Sequence, residues 1–216
     1  MNMQSIARRY KPFIKKNFLI SAVGTLIFLG ISIWIQHIAG LYATRSASNS
    51  VTDVILSNIR VYDVDWFFVY GAIVMWIVIA VMTLYEPKRF LFIYRSVILF
   101  ILVRSVFITL THIGPFPTQV AVESELMKIF TLGGDLFFSG HTGLPFLMAL
   151  IFWDHKSWRY FFIILSLIFG AVVLMAHLHY SIDVLGAFFI THSIFHASER
   201  IFKKDRAMFH GQLLPF

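Results

Sequence analysis

From Phe18 to about Ala39 the chain runs for roughly 20 residues without a single Asp, Glu, Lys or Arg, enough for a helix to cross about 30 Å of hydrocarbon. A run of this kind removes most fold classes at once. Inside a bilayer every backbone N–H and C=O must be satisfied internally, which leaves helices or closed barrels. The continuous apolar pattern, without alternation, points to helices. It recurs at Trp66–Tyr85, Phe90 to about His112, Leu136–Trp153, Tyr160–Ala176 and Ser181 to about Phe195. The expected fold is therefore an all-α integral membrane protein, a bundle of six transmembrane helices.

Composition agrees. Hydrophobic residues make up 58% and charged residues 13% of the 216, against about 25% charged in soluble domains. The first run is too long for the 7–15-residue apolar core of a signal peptide and reads as a retained span. The expected organisation is a basic N-terminus (1–17), one six-helix domain (18–198) and a basic tail (199–216), with no internal repeat. Between the first two spans, Val51, Val54, Ile55, Ile59 and Tyr62 recur at helical spacing, which predicts a short amphipathic helix lying on the membrane surface. It reads either as a lid over a site or as a plain connector.

The net charge of +7 would suit nucleic acid were the charges not gathered at the ends of apolar runs, as membrane topology requires. No nucleic-acid partner is expected, and the pattern assigns no oligomeric state. Lys and Arg concentrate in the N-terminus, at Lys88/Arg89, at Lys156/Arg159 and in the tail. Six spans then put both termini in the cytoplasm. The absence of cysteine excludes disulfides, thiolate catalysis and Cys-ligated metals.

Two polar stretches open onto the opposite face: Gly133-Gly134-Asp135-Leu136-Phe137-Phe138-Ser139-Gly140-His141-Thr142 and His179-Tyr180-Ser181-Ile182-Asp183-Val184. Ionisable groups at the mouth of apolar helices are expensive without a partner or a task. His179 and Asp183, four apart, are expected on one face at the head of a helix, where the carboxylate fixes the imidazole tautomer and leaves the other nitrogen as nucleophile or base. His141, from a second helix, can act as the acid for a leaving group. The glycines beside Ser139 let the backbone approach an anion, and the helix head favours negative charge. Such a set suits phosphoryl transfer through a phosphohistidine and calls for no metal or other cofactor. The bland reading of the same residues is a hydrogen-bond network at helix ends.

On these residues the chain resembles a known family. Gly134-Asp135-x-x-Phe138-Ser139-Gly140-His141-Thr142 with His179-Tyr180-x-x-Asp183, preceded by Arg95-x8-Arg104, Ile108-Thr109 and Gly114-Pro115, is similar to the hallmark segments of the sphingomyelin synthase-related branch of the type 2 phosphatidic acid phosphatase superfamily. The likeness covers about Arg95 to Phe195. It implies six transmembrane helices, a site on the non-cytoplasmic face and a catalytic triad of His141, His179 and Asp183. By that likeness His179 attacks phosphorus, Asp183 orients it, His141 protonates the departing diacylglycerol oxygen, and the head-group phosphate passes to a lipid hydroxyl such as ceramide. The chain lacks the long N-terminal extension of many eukaryotic members, which suggests a bacterial inner-membrane form with the site facing the periplasm. It also lacks the Lys-x6-Arg-Pro segment of the wider superfamily; Lys88-x6-Arg95-Ser96 imitates that segment from the cytoplasmic end.

Around the triad, Arg104, Ser139, Gly140 and Asp135 are candidate substrate-binding residues. Arg104 reads as a phosphate ligand or as half of a structural ion pair. Asp135 reads as an orienter of His141 or as a helix cap. Arg95, nearer the cytoplasm, is expected to snorkel to the inner interface. Glu123 and Glu125 lie in the loop over the site, as head-group contacts or as solvated loop. His37, His112, His177, His192 and His196 raise a haem reading, but no two of them pair at matching depth on separate helices.

Membrane lipids are thus the expected donor and acceptor. Three functions compete: a phosphotransferase between lipids; a lipid phosphate phosphatase or phospholipase C-like hydrolase using water at the same triad; and a non-enzymatic lipid-binding or transport protein.

Overall fold

A computed structural model describes residues 10–119 and 136–215. Among the described residues there are seven α-helices and no strand: α1 (Lys16–Arg45), α2 (Asp65–Tyr85), α3 (Phe90–Leu110), α4 (Gly140–Ile151), α5 (Lys156–Met175), α6 (Ser181–Ile201) and α7 (Lys203–Phe209). Four helical segments are long and apolar enough to cross a membrane: Lys16–Arg45, Trp66–Tyr85, Pro87–Leu110 and Lys156–Met175. Several apolar helices of this kind mark a multi-pass membrane protein.

Local chemistry sets the boundaries. α2 stops at Tyr85 because the residue before a proline is driven out of the helical region, and Glu86 has φ −127° and ψ 86° ahead of Pro87. Pro87 then opens a 3₁₀ turn, Pro87–Arg89, that reverses the chain into α3. α4 begins where Ser139 caps it.

Two elements differ from the sequence reading. The fourth helix covers only Gly140–Ile151, 12 residues or about 18 Å, instead of Leu136–Trp153. Residues 136–139 are held instead in a loop, tied to α3 through Arg104 and to α6 through Ser139. α6 has the length of a span, but Asp183, Glu199 and Arg200 make it less apolar. The amphipathic helix expected over Val51–Asp65 does not form. Residues 51–64 are a turn-bearing loop, because the Asp53 carboxylate accepts the amides of Ile55 (2.8 Å) and Leu56 (3.0 Å) and fixes one turn that does not propagate. Leu56, 2% exposed, packs with Leu136 and Tyr180 rather than facing a membrane surface.

The connectors sort into two ends. At the head end Ser48 donates to the carbonyl of His112, Tyr62 to that of Met175 and Ser139 to that of Asp183, so the α1, α3 and α5 exits meet the α2, α4 and α6 entrances. At the basic end Arg89 contacts His155 (3.2 Å), Arg206 donates to the Ile151 carbonyl (2.9 Å) and Lys15 to that of Pro215 (3.3 Å). The helices therefore run alternately between the ends. α4 lies between α5, α6 and α3, where Phe138, Leu147, Met148, Ala149, Phe162, Phe169 and Ala187 are fully buried. α1 packs mainly on α3 and exposes Leu26, Ile27, Phe28 and Trp34, an apolar surface suited to lipid.

The basic end also holds a correction. Arg95 does not snorkel: its Nη1 pairs with Asp205 of α7 at 2.6 Å and its Nε donates to Thr25 at 3.3 Å. Asp205, Met208 and Phe209 are buried as α7 docks under the bundle, so the charge finds a protein partner before it reaches an interface.

Candidate active site

α4 and α6 bring the two polar stretches together by their heads. The Ser139 N–H donates to the carbonyl of Asp183 at 3.2 Å. Ser139 is fully buried, and its Oγ accepts the Thr142 amide (3.4 Å) and hydroxyl (3.1 Å). Ser166 of α5 then donates to the Thr142 carbonyl at 2.7 Å, which ties this turn to a third helix. Ser139 is thus a cap and a strut for the turn that carries His141.

His179 Nδ1 lies 3.4 Å from Asp183 Oδ2, with His179 7% and Asp183 1% exposed. The four-residue spacing achieves this in another way than a shared helix face. α6 starts only at Ser181, with Tyr180 as its cap, and Asp183 folds back to accept the Tyr180 amide at 2.9 Å through the same Oδ2. His179 stands just before the helix and meets that oxygen. With Nδ1 donating to Asp183, the lone pair is on Nε2, the nitrogen then available for attack.

His141 is the second residue of α4. Its ring stacks on Phe68 of α2, centroids 3.8 Å apart, and lies 5.6 Å from Phe169. His141 directly follows Gly140, whose backbone lies against Arg104. Arg104, 4% exposed, donates from Nε to the Phe138 carbonyl at 2.8 Å. A Cβ on Gly140 would stand 3.3 Å from that Nε, so a side chain there would press on the guanidinium. The head of α4, Arg104 and the His179–Asp183 pair thus lie together at the head end of the bundle. Such a setting suits a phosphate: an anion is favoured by the helix amides and the guanidinium, and a carboxylate-backed imidazole stands at the head of one helix and a second imidazole at the head of the other.

Of the candidate residues, His141, His179, Asp183, Arg104, Ser139 and Gly140 converge here. Asp135, Glu123 and Glu125 lie outside the described residues. Lys88 pairs with Glu86 at 3.5 Å at the basic end, remote from this cluster. His177, in the α5–α6 connector, contacts Thr118 through Nδ1 at 2.6 Å. Burial pushes its pKa down, with Asp53 opposing.

Asp53 and Phe68 were not singled out as site residues from the sequence, and Tyr180 was named only as part of the His179-Tyr180-x-x-Asp183 segment. Asp53 accepts the Ser181 amide (2.7 Å) and hydroxyl (2.8 Å), and the Tyr180 hydroxyl donates to the Gly114 carbonyl (2.8 Å) while accepting the Val51 amide (3.2 Å). Phe68 supplies the face on which His141 rests. These contacts join segments between 66 and 129 residues apart, and no local spacing encodes them.

A family model for the PAP2 superfamily C-terminal domain matches residues 133–200, about a third of the chain. The match contains both polar stretches and supports the resemblance to that superfamily. No curated protein and no solved structure matches the chain.

Proposed function

We propose that the chain is a membrane phosphotransferase that moves a phospho-head group from a glycerophospholipid to a lipid hydroxyl, a ceramide or diacylglycerol-like acceptor, within the sphingomyelin synthase-related branch. The observation that carries the reading is the joined pair of contacts Ser139 N–H to Asp183 C=O and His179 Nδ1 to Asp183 Oδ2, with Arg104 against Gly140, the residue before His141. His179 Nε2 attacks phosphorus and forms the N–P bond as the bond to the diacylglycerol oxygen breaks. His141 gives its proton to that oxygen, then takes the proton of the acceptor hydroxyl as that oxygen attacks phosphorus and releases His179. Arg104 and the α4 head hold the phosphoryl oxygens as charge develops. Asp183 stabilises the cationic phosphoimidazole.

In this reading α1 to α6 all cross the membrane, the short α4 within a bundle that shields it, and the basic end faces the cytoplasm. A cysteine at exposed Ser50 is then labelled by a membrane-impermeant thiol reagent in intact cells and one at Lys204 is not; the reverse pattern discards the orientation.

The deciding experiment incubates purified protein with labelled phosphatidylcholine, phosphatidylethanolamine and phosphatidylglycerol, with and without ceramide or diacylglycerol. A head-group-bearing product that appears only with an acceptor lipid supports transfer. Release of soluble phospho-head group without acceptor replaces transfer by hydrolysis at the same residues. No conversion in any arm overturns the enzymatic reading.

A further inference from the structure

Ser181 lies two residues after His179 and two before Asp183, and the peptide groups between them decide whether the imidazole and the carboxylate meet. Two consecutive amides there are each held by a different carboxylate. Asp183 takes the amide of Tyr180 at 2.9 Å, and Asp53 takes that of Ser181 at 2.7 Å and adds the Ser181 hydroxyl at 2.8 Å. Asp53 is itself fixed, since its other oxygen accepts the amides of Ile55 and Leu56. Its loop is fixed in turn. Ser48 donates twice to the His112 carbonyl, Gly114 donates to that of Asn49 at 3.2 Å, and the Tyr180 hydroxyl bridges Val51 and Gly114. A Cβ on Gly114 would fall 2.2 Å from the Ser48 carbonyl oxygen, so the α1–α2 loop can lie on residue 114 only because a glycine is there.

We infer that Asp53 is a positioning residue for the site: by gripping the first amide of α6 from the α1–α2 loop, it sets the direction in which His179 presents its nucleophilic nitrogen. This rests on the proposed phosphotransfer reading. Two features make the grip matter. The His179–Asp183 contact is already at 3.4 Å, the long end of a hydrogen bond, so a small rotation of the 180–181 peptide opens it. A carboxylate at a helix N-terminus is also held by the helix dipole, which makes Asp53 a better anchor there than a neutral group. Both of its oxygens accept from donors, so an amide side chain would turn its NH₂ toward N–H groups on one side or the other.

The test measures kcat and KM on the phosphatidylcholine, phosphatidylethanolamine and phosphatidylglycerol panel, with acceptor lipid, for wild type, Asp53→Asn, Ser181→Ala, the double variant, and Asn58→Ala as an exposed control in the same loop. Thermal melts report the folded fraction. Asp53→Asn is expected to lower kcat per folded molecule about 10- to 100-fold, as misplacement of a reacting group by about 1 Å does, and to leave KM within about threefold. Ser181→Ala, which removes the hydroxyl contact and keeps the amide one, lowers kcat less, and the double variant is no worse than Asp53→Asn, because Asp53→Asn already disrupts the hydroxyl contact. Should Asp53→Asn fail to fold, Ser181→Ala decides, with a kcat loss at unchanged KM expected. A merely structural loop shifts the melt and leaves kcat per folded molecule at the wild-type value; that result, with His179→Ala inactive, overturns the inference alone. Turnover surviving in His179→Ala overturns the phosphotransfer reading and the inference with it.

Discussion

Asp53 at the head end and Asp205 at the basic end are both buried, 7% and 2% exposed, yet they are solvated by different means. Burial pushes each carboxyl up. At Asp53 the amides of Leu56 and Ser181, the Ser181 hydroxyl and the Ile55 amide more than reverse that push, and its pKa falls below the ordinary value. At Asp205 burial prevails over the charge and hydrogen bond of Arg95, and its pKa is raised. Only one Asp205 oxygen is bonded; Oδ1 has no partner among the described residues. Converging N–H and O–H donors stabilise an anion more fully than one guanidinium does. The head end thereby holds its charges in fixed positions around two titratable rings, whereas the basic end uses permanent cations: Arg95 on Asp205, and Arg206 on Glu199 with its guanidinium over Phe92. The first arrangement suits chemistry and the second suits anchoring.

Substitutions at the two ends should separate accordingly. The largest effect is expected for His179→Ala, which should lower kcat at least about 10⁴-fold in steady-state lipid assays while the melt stays near wild type, since the nucleophile is removed and the buried contacts around it remain. His141→Gln should cost about 10²- to 10⁴-fold, and a donor with a better leaving group should recover part of the loss, because only proton delivery is missing. Arg95→Ala should behave in the opposite way. It strands a buried carboxylate and should destabilise the fold by about 3 kcal/mol in chemical denaturation, with kcat per folded molecule unchanged. A kcat loss at Arg95 without a stability loss would dissolve the distinction between the ends.

The smallest and most discriminating expectation concerns pH. A carboxyl with a lowered folded pKa contributes stability that is present above its unfolded value and lost as pH falls through the folded value, which describes Asp53. A carboxyl with a raised folded pKa contributes stability that is full below the unfolded value and lost as pH rises through the folded one, which describes Asp205. Melts between neutral pH and about pH 3.5 should therefore show the gap between wild type and Asp53→Asn narrowing on acidification. The gap in stability of wild type relative to Asp205→Asn should move in wild type's favour. Slopes of the same sign would contradict the solvation contrast.

What could be read from residues alone follows the same division. Apolar run length is a local property, and it placed α2 and α3 within about two residues, α5 within four and α1 within six. The meeting of Ser139-Gly140-His141 with His179 and Asp183 was legible because each stretch carries its polar groups in one short window, and alternating helices bring windows at matching ends together. The loop over residues 51–64 was not legible. Val51, Val54, Ile55 and Ile59 have helical spacing, but one turn of helix is marginal on its own, and Asp53 and Leu56 are claimed by Ser181, Leu136 and Tyr180 from far along the chain. Arg95 misled for a similar reason: its partner Asp205 lies 110 residues away. The capping contact of Asp183 with Tyr180 likewise turned a plain i,i+4 helical pair into a contact at a helix threshold.

The central claim is that one imidazole becomes covalently bonded to phosphorus. Its most direct measurement is a rapid alkaline quench of enzyme turning over labelled glycerophospholipid, followed by mass spectrometry of the peptide containing residue 179. A single phospho-head-group adduct on His179, forming and decaying at the turnover rate and absent in His179→Ala, is the expected result. Steady turnover with no adduct on His179, or an adduct on His141 instead, would contradict it.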